Sequence, residues 1–156
     1  MAKPHTPWDN EASAAANARR CLPLLVSSYF AGVRRVLARS PSPGRLHRLR
    51  LDSKRLRYTL ELFRPCYPAA LEERLEALKK LQDLLGETND AVATSRLLRG
   101  PLRRQPELRQ FIKRRAGERA AAFLREWTER FDAPGREEWW TGFLARNAHA
   151  PRRAAR

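Results

Sequence analysis

The sequence predicts an all-α protein, an antiparallel four-helix bundle of long helices with a short extra helix at the C-terminal end. Three observations carry that prediction. Leucines and other apolar residues recur three and four positions apart over most of the chain, the period of a helix with one buried face. The two-residue alternation of a half-buried strand is almost absent. Breaks rich in proline and glycine, at Ser40-Pro-Ser-Pro-Gly44, Pro65/Pro68 and Gly100-Pro101, cut the pattern into helix-sized lengths joined by short connections. A chain of 156 residues is one domain able to bury a sizeable core. The expected division is an N-terminal tail over 1–8, a four-helix domain over 9–132, a docking helix over 133–148 and a basic tail over 149–156.

The first helix is expected from Asp9 or Asn10, either of which can cap it, to Arg39. Its apolar stripe is Leu22, Leu25, Val26, Tyr29, Val33, Val36 and Leu37, and Pro23 either kinks it or marks where its packed half starts. The second runs through Leu46–Phe63 and ends near Arg64, ahead of Pro65. The third begins around Ala69 and buries Leu71, Leu75, Leu78, Leu81 and Leu85. Gly86 lies inside it, where glycine costs about 1 kcal/mol relative to alanine, so close approach of another group or a local bend is implied. The fourth helix spans Pro106–Phe131, with Leu108, Phe111, Ile112, Phe123, Leu124, Trp127 and Phe131 as core positions. A last piece, Glu137–Arg146, packs back through Trp139, Trp140 and Phe143.

The formal net charge is +15, and such a surface repels itself unless an anionic partner is at hand. Lysine stands only at positions 3, 54, 79, 80 and 113; the other basic residues are arginines, whose planar fork suits phosphate. A GC-rich genome accounts for that bias equally well. The pattern within the second helix says more. His47, Arg50, Lys54, Arg57 and Glu61 step by three and four and so share one face. Leu49, Leu56, Leu60 and Phe63 form a core face beside it, while Arg48, Asp52, Arg55 and Thr59 point outward. A row of cations with one internal carboxylate suits a long polyanion better than a small neutral ligand.

Several chemistries lack their residues. Cys21 and Cys66 are too few and too far apart for a disulfide framework or a CxxC metal motif, and read as reduced core thiols of a cytoplasmic protein. The apolar run Leu22–Phe30 is too short and too interrupted to cross a membrane. No paired-histidine spacing supports a protein-held metal, and His5 and His149 fall in the tails. There is no glycine-rich phosphate loop and no serine or cysteine with a recognisable base partner, so neither an enzyme nor a cofactor site is expected. Trp127, Trp139 and Trp140 read as core and docking residues rather than base-stacking platforms.

Two segments in series carry a family resemblance. LHRLRLDSKRLRYTLELF, Leu46–Phe63, is similar to the histidine-bearing helix of CHAD domains, and LEALKKLQDLLGETNDAVATSRLL, Leu75–Leu98, resembles the helix that follows it. CHAD domains are all-helical modules that bind inorganic polyphosphate in a basic groove, built from two four-helix repeats. The resemblance implies that His47, Arg50, Lys54 and Arg57 face polyphosphate, with Lys79 joining from the third helix and Tyr58 donating a hydrogen bond. Glu61, Gln82, Asp83, Asn89 and Asp90 match motif positions too and read as organisers rather than ligands, Asp83 and Asp90 as salt-bridge partners of the second-helix cations.

This chain resembles a single repeat, the second of the family's pair. Either two copies meet in a homodimer, with Trp139, Trp140 and Phe143 as apolar contacts, or the groove stays open. The expected function is non-catalytic polyphosphate binding, with localisation to polyphosphate granules and divalent cations accompanying the ligand as counterions. His47 would bind phosphate best when protonated. Nucleic-acid binding through the same charge and the basic tail is the alternative, and a metal-dependent phosphoesterase a more distant one.

Overall fold

The computed structural model describes residues 7–151; most of the tail over 1–8 and the end of the basic tail lie outside the described residues. The chain forms α1 (Ala14–Leu37), α2 (Pro43–Leu62), a 3₁₀ turn (Arg64–Cys66), α3 (Leu71–Leu97), a single turn α4 (Arg99–Leu102), α5 (Pro106–Glu126), a π-helical turn (Trp127–Phe131) and α6 (Arg136–Arg146). No strand occurs among the described residues, and the all-α helical-bundle class stands. Neighbours pack in the order α1, α2, α3, α5, and α6 returns to cover α1.

The first helix begins later than the sequence suggested. Asp9 accepts from the Glu11 amide, and its backbone exchanges hydrogen bonds of 3.0 and 2.8 Å with the buried Asn17 side chain. Those bonds fold residues 9–12 into a turn, and Ser13 becomes the cap, accepting from the Ala16 amide at 3.2 Å. Pro23 lies inside α1 without ending it and leaves the Arg19 carbonyl without its i+4 amide donor. α3 ends at Leu97, before Gly100-Pro101, and that dipeptide sits inside the short α4.

The fourth helix departs from expectation along its first half. Leu108, Phe111 and Leu124 are exposed and Ile112 is half-buried; Phe123 is the buried residue of α5. The ion pairs Lys80–Glu126 (2.7 Å) and Glu87–Arg119 (2.7 Å) fix α5 antiparallel to α3. That register carries the start of α5 level with the last turn of α3, past the start of α2. The two helices project as a pair, with Leu102 buried at the tip.

The opposite end is densely packed. The Asp132 amide bonds to the Trp127 carbonyl at 2.7 Å, the wide spacing of a π turn, and Thr128 Oγ1 donates to the Leu124 carbonyl at 2.9 Å. Trp127 and Phe131 then stack at 5.1 Å and both enter the core against Tyr29, Phe30 and Trp140. Asp132 and Glu137 both pair with Arg34, tying this end to α1. The buried Arg74 guanidinium lies 3.4 Å from the Trp139 ring centre and 3.7 Å from that of Phe143, and burial pulls its pKa down to about 10. Trp140 and Phe143 are buried in the chain's own core, and Trp139 is half-buried against it. The tail is held as far as His149, whose amide donates to the Cys66 carbonyl at 2.7 Å while Arg19 reaches the Ala148 carbonyl. Cys21 and Cys66 are buried and unbridged, and burial pushes the Cys66 thiol pKa up. No helix among the described residues is long and apolar enough to cross a membrane.

Candidate anion-binding site

Leu46, Leu49, Ser53, Leu56 and Leu60 anchor α2 on the core, and Ser53 accepts its place by donating to the Leu49 carbonyl at 2.8 Å. Anchoring that face turns the adjoining one, His47 to Glu61, toward the edge of α3. His47 Nδ1 meets Asn89 Oδ1 at 3.0 Å. Three residues further along, the Arg50 guanidinium lies over Gly86, where a Cβ would stand 3.4 Å from Nε. Those two contacts define an antiparallel register that brings Gln82 level with Lys54 and Lys79 level with Arg57. Lys79, Gln82, Gly86 and Asn89 step by three, four and three, the helical complement of the α2 stripe.

Among the described residues the cations of the seam make no close ion pair. Arg57 Nε is 3.6 Å from Glu61 Oε1, a charge contact too long for a hydrogen bond. Arg50 Nε, Arg57 Nε and Gln82 Oε1 are all buried without a hydrogen-bond partner. Buried polar atoms are nearly always satisfied; three of the six exceptions among the described residues lie in this seam, and the other three, Arg74 Nε, Arg136 Nε and Trp140 Nε1, lie at the α6 end. The exposed Tyr58 ring takes Lys54 Nζ at 5.5 Å and the Arg57 guanidinium at 5.2 Å, which braces both cations from outside. By that register Arg50, Lys54, Arg57 and Lys79 fall along one α2–α3 seam, with His47 at its end and Glu61 as the acid of the stripe.

Two expected organisers sit elsewhere. Among the described residues neither Asp83 nor Asp90 pairs with an α2 cation; Asp90 borders the α3–α5 side beside Glu87 and Arg119. At about 100° per residue, Asp83 is turned more than a quarter of the circle from Gln82, onto the exposed ridge of α3. The outward face of α2 is also more than a solvated surface, because Arg48, Asp52, Arg55 and Thr59 line a cleft against α1. Nothing in the sequence marked that cleft, since it depends on how far apart α1 and α2 lie. Among the described residues no three His, Cys, Asp or Glu side chains converge as a metal site would need.

Fold and seam define a class, the all-helical module with a row of cations along the seam between two adjacent helices. Residues 2–99 match the family model of the CHAD domain, and the chain belongs to that family. A search of the curated proteins and one of the solved structures found nothing that matches. The matched segment takes in α1, α2 and α3, and so contains both helices of the seam.

Proposed function

We propose that this protein binds inorganic polyphosphate in the α2–α3 groove and performs no catalysis on it. The observation that supports the reading most is the pair of half-buried guanidinium groups, Arg50 and Arg57, whose Nε atoms find no acceptor in the chain. Membership in a family associated with polyphosphate binding points the same way. A linear polyanion with closely spaced charges would replace the counterions of four Arg and Lys side chains, and released ions supply much of the free energy. Divalent cations would arrive on the ligand rather than in a protein-held site. The setting that fits this role is the cytoplasm, at polyphosphate granules.

The groove has one open side, and a homodimer with two stripes face to face would enclose the ligand. The surface for such pairing is the exposed row Leu51, Tyr58 and Leu62, which runs beside the cations on the same side of α2. Bound anion would offset the repulsion between stripes and so favour the dimer. Light scattering with and without polyphosphate tests this; a monomer of 18.0 kDa in both conditions that still binds tightly removes the dimer and leaves a one-sided groove.

Titration with polyphosphate across a salt series tests the binding itself. By analogy with single strands, the logarithm of affinity should fall by about 0.7 per phosphate contacted for each tenfold rise in salt. Tight duplex binding that matched polyphosphate fails to displace would replace this reading with nucleic-acid binding, and phosphate release on adding Mg²⁺ would replace it with a phosphoesterase.

A further inference from the structure

On the far side of α2 from the groove, α1 and α2 diverge around a cleft of about 890 Å³. Its floor and walls are apolar: Leu25, Val33 and Val36 from α1, and Leu49 and Leu56 from α2. Beneath them the Tyr29 hydroxyl and Ser53 Oγ, 2.7 Å apart, tie the two helices together. The rims are cationic on both sides, with Arg35 and Arg39 along the α1 edge and Arg45, Arg48 and Arg55 along the α2 edge. Asp52 is the one acid among the lining residues, and it lies 3.8 Å from Arg55. Gly32 sits in the α1 wall, and among the described residues no heavy atom beyond its chain neighbours and its own helix backbone lies within 4 Å of where its Cβ would be.

We infer that this cleft receives an acidic amphipathic helix of a partner protein. The occupant must bring apolar surface for the floor, which polyphosphate lacks. It must also bring negative charge on both flanks along the whole length, whereas a fatty-acid anion carries its charge at one end. A second copy of this chain is a poor occupant, because two-fold pairing on this face sets arginine rims against arginine rims. The lining runs from Leu25 to Arg39, about 20 Å at helical rise, and matches a helix of about fourteen residues. Such a helix places apolar residues at i, i+3, i+4 and i+7 on the floor, with Asp or Glu at the bordering positions meeting both rims. Gly32 admits its backbone closely.

The test is a selection from a display library of fourteen-residue helical peptides, with the central stripe varied between apolar and polar residues and the flanks between acids and bases. The bait is the full chain. Enriched clones should combine an apolar stripe with Asp or Glu on both flanks. They should lose about tenfold or more in affinity on the Arg48→Glu/Arg55→Glu variant. They should keep their affinity on Arg50→Glu/Arg57→Glu, which separates the cleft from the polyphosphate groove and from net charge. Gly32→Leu, checked for unaltered helical content, should also weaken them. No enrichment, enrichment of acidic peptides without an apolar stripe, or equal loss on the two double variants would each overturn the inference.

Discussion

The two polar faces of α2 carry similar charge and offer different chemistry. On the α3 side, Arg50 rests on Gly86, His47 meets Asn89, and Tyr58 braces Lys54 and Arg57. On the α1 side, Arg45, Arg48 and Arg55 ring an apolar cleft and Arg55 pairs weakly with Asp52. The first face confines its cations close together beside a packed seam; the second spaces them around a hydrophobic floor. Confinement favours a thin polyanion, because partly desolvated donors held in place lose little freedom on binding. Separation around an apolar floor favours an occupant with its own hydrophobic surface. Charge count alone distinguishes neither.

Charge reversal gives the largest expected effect. Arg50→Glu with Arg57→Glu removes two charge-assisted contacts at about 1.5–3 kcal/mol each, so polyphosphate affinity should fall at least a hundredfold by calorimetry. Arg48→Glu with Arg55→Glu changes net charge by the same amount and should cost only a few-fold. Since Arg48 and Arg55 line the cleft, Arg103→Glu with Arg104→Glu, in the exposed turn before α5, supplies a second control. If all three pairs weaken binding alike, the contrast between the faces is wrong.

A smaller effect should come from Gly86→Leu, which drives a side chain into the space of the Arg50 guanidinium. It should weaken polyphosphate binding about tenfold while raising helix propensity by several tenths of a kcal/mol, read as a melting temperature that does not fall. His47→Ala and Asn89→Ala should each cost about 1 kcal/mol of binding, and the double mutant little more than either alone, because they share one contact. Deleting Ala150–Arg156 should have the smallest effect on polyphosphate and a larger one on any RNA binding, measured by competition at matched phosphate concentration.

The helices of the bundle and the cationic stripe were legible because period and proline breaks depend on neighbouring residues only. The stripe residues His47, Arg50, Lys54 and Arg57 do lie on one face, and Asn89 does meet His47. What resisted reading depends on how much of a partner element lies alongside. Leu108 and Phe111 have the helical spacing of core residues, but α5 starts beyond the reach of α2, and no sequence pattern records that offset. Asp83 and Asp90 match motif positions, yet the crossing of α3 on α2 turns them outward. The start of α1 went to Ser13 because Asn17, four residues inside the helix, takes the backbone of Asp9 for itself.

The projecting α3–α5 pair has a consequence for motion. Leu97 is 84% exposed and Phe111 49% exposed, so the outer turns bury little apolar surface and should open locally at far lower cost than the aromatic end around Trp127. Amide hydrogens of residues 92–112 should exchange early, while those of Leu22–Val33 and Trp140–Leu144 exchange only with global unfolding. Asn89 stands at the boundary between those two regimes. On that expectation the seam joins one helix, α2, packed on the slowest-opening part of the molecule to another, α3, whose outer end should fray. Entry of a polymer from that end would need no movement of the core.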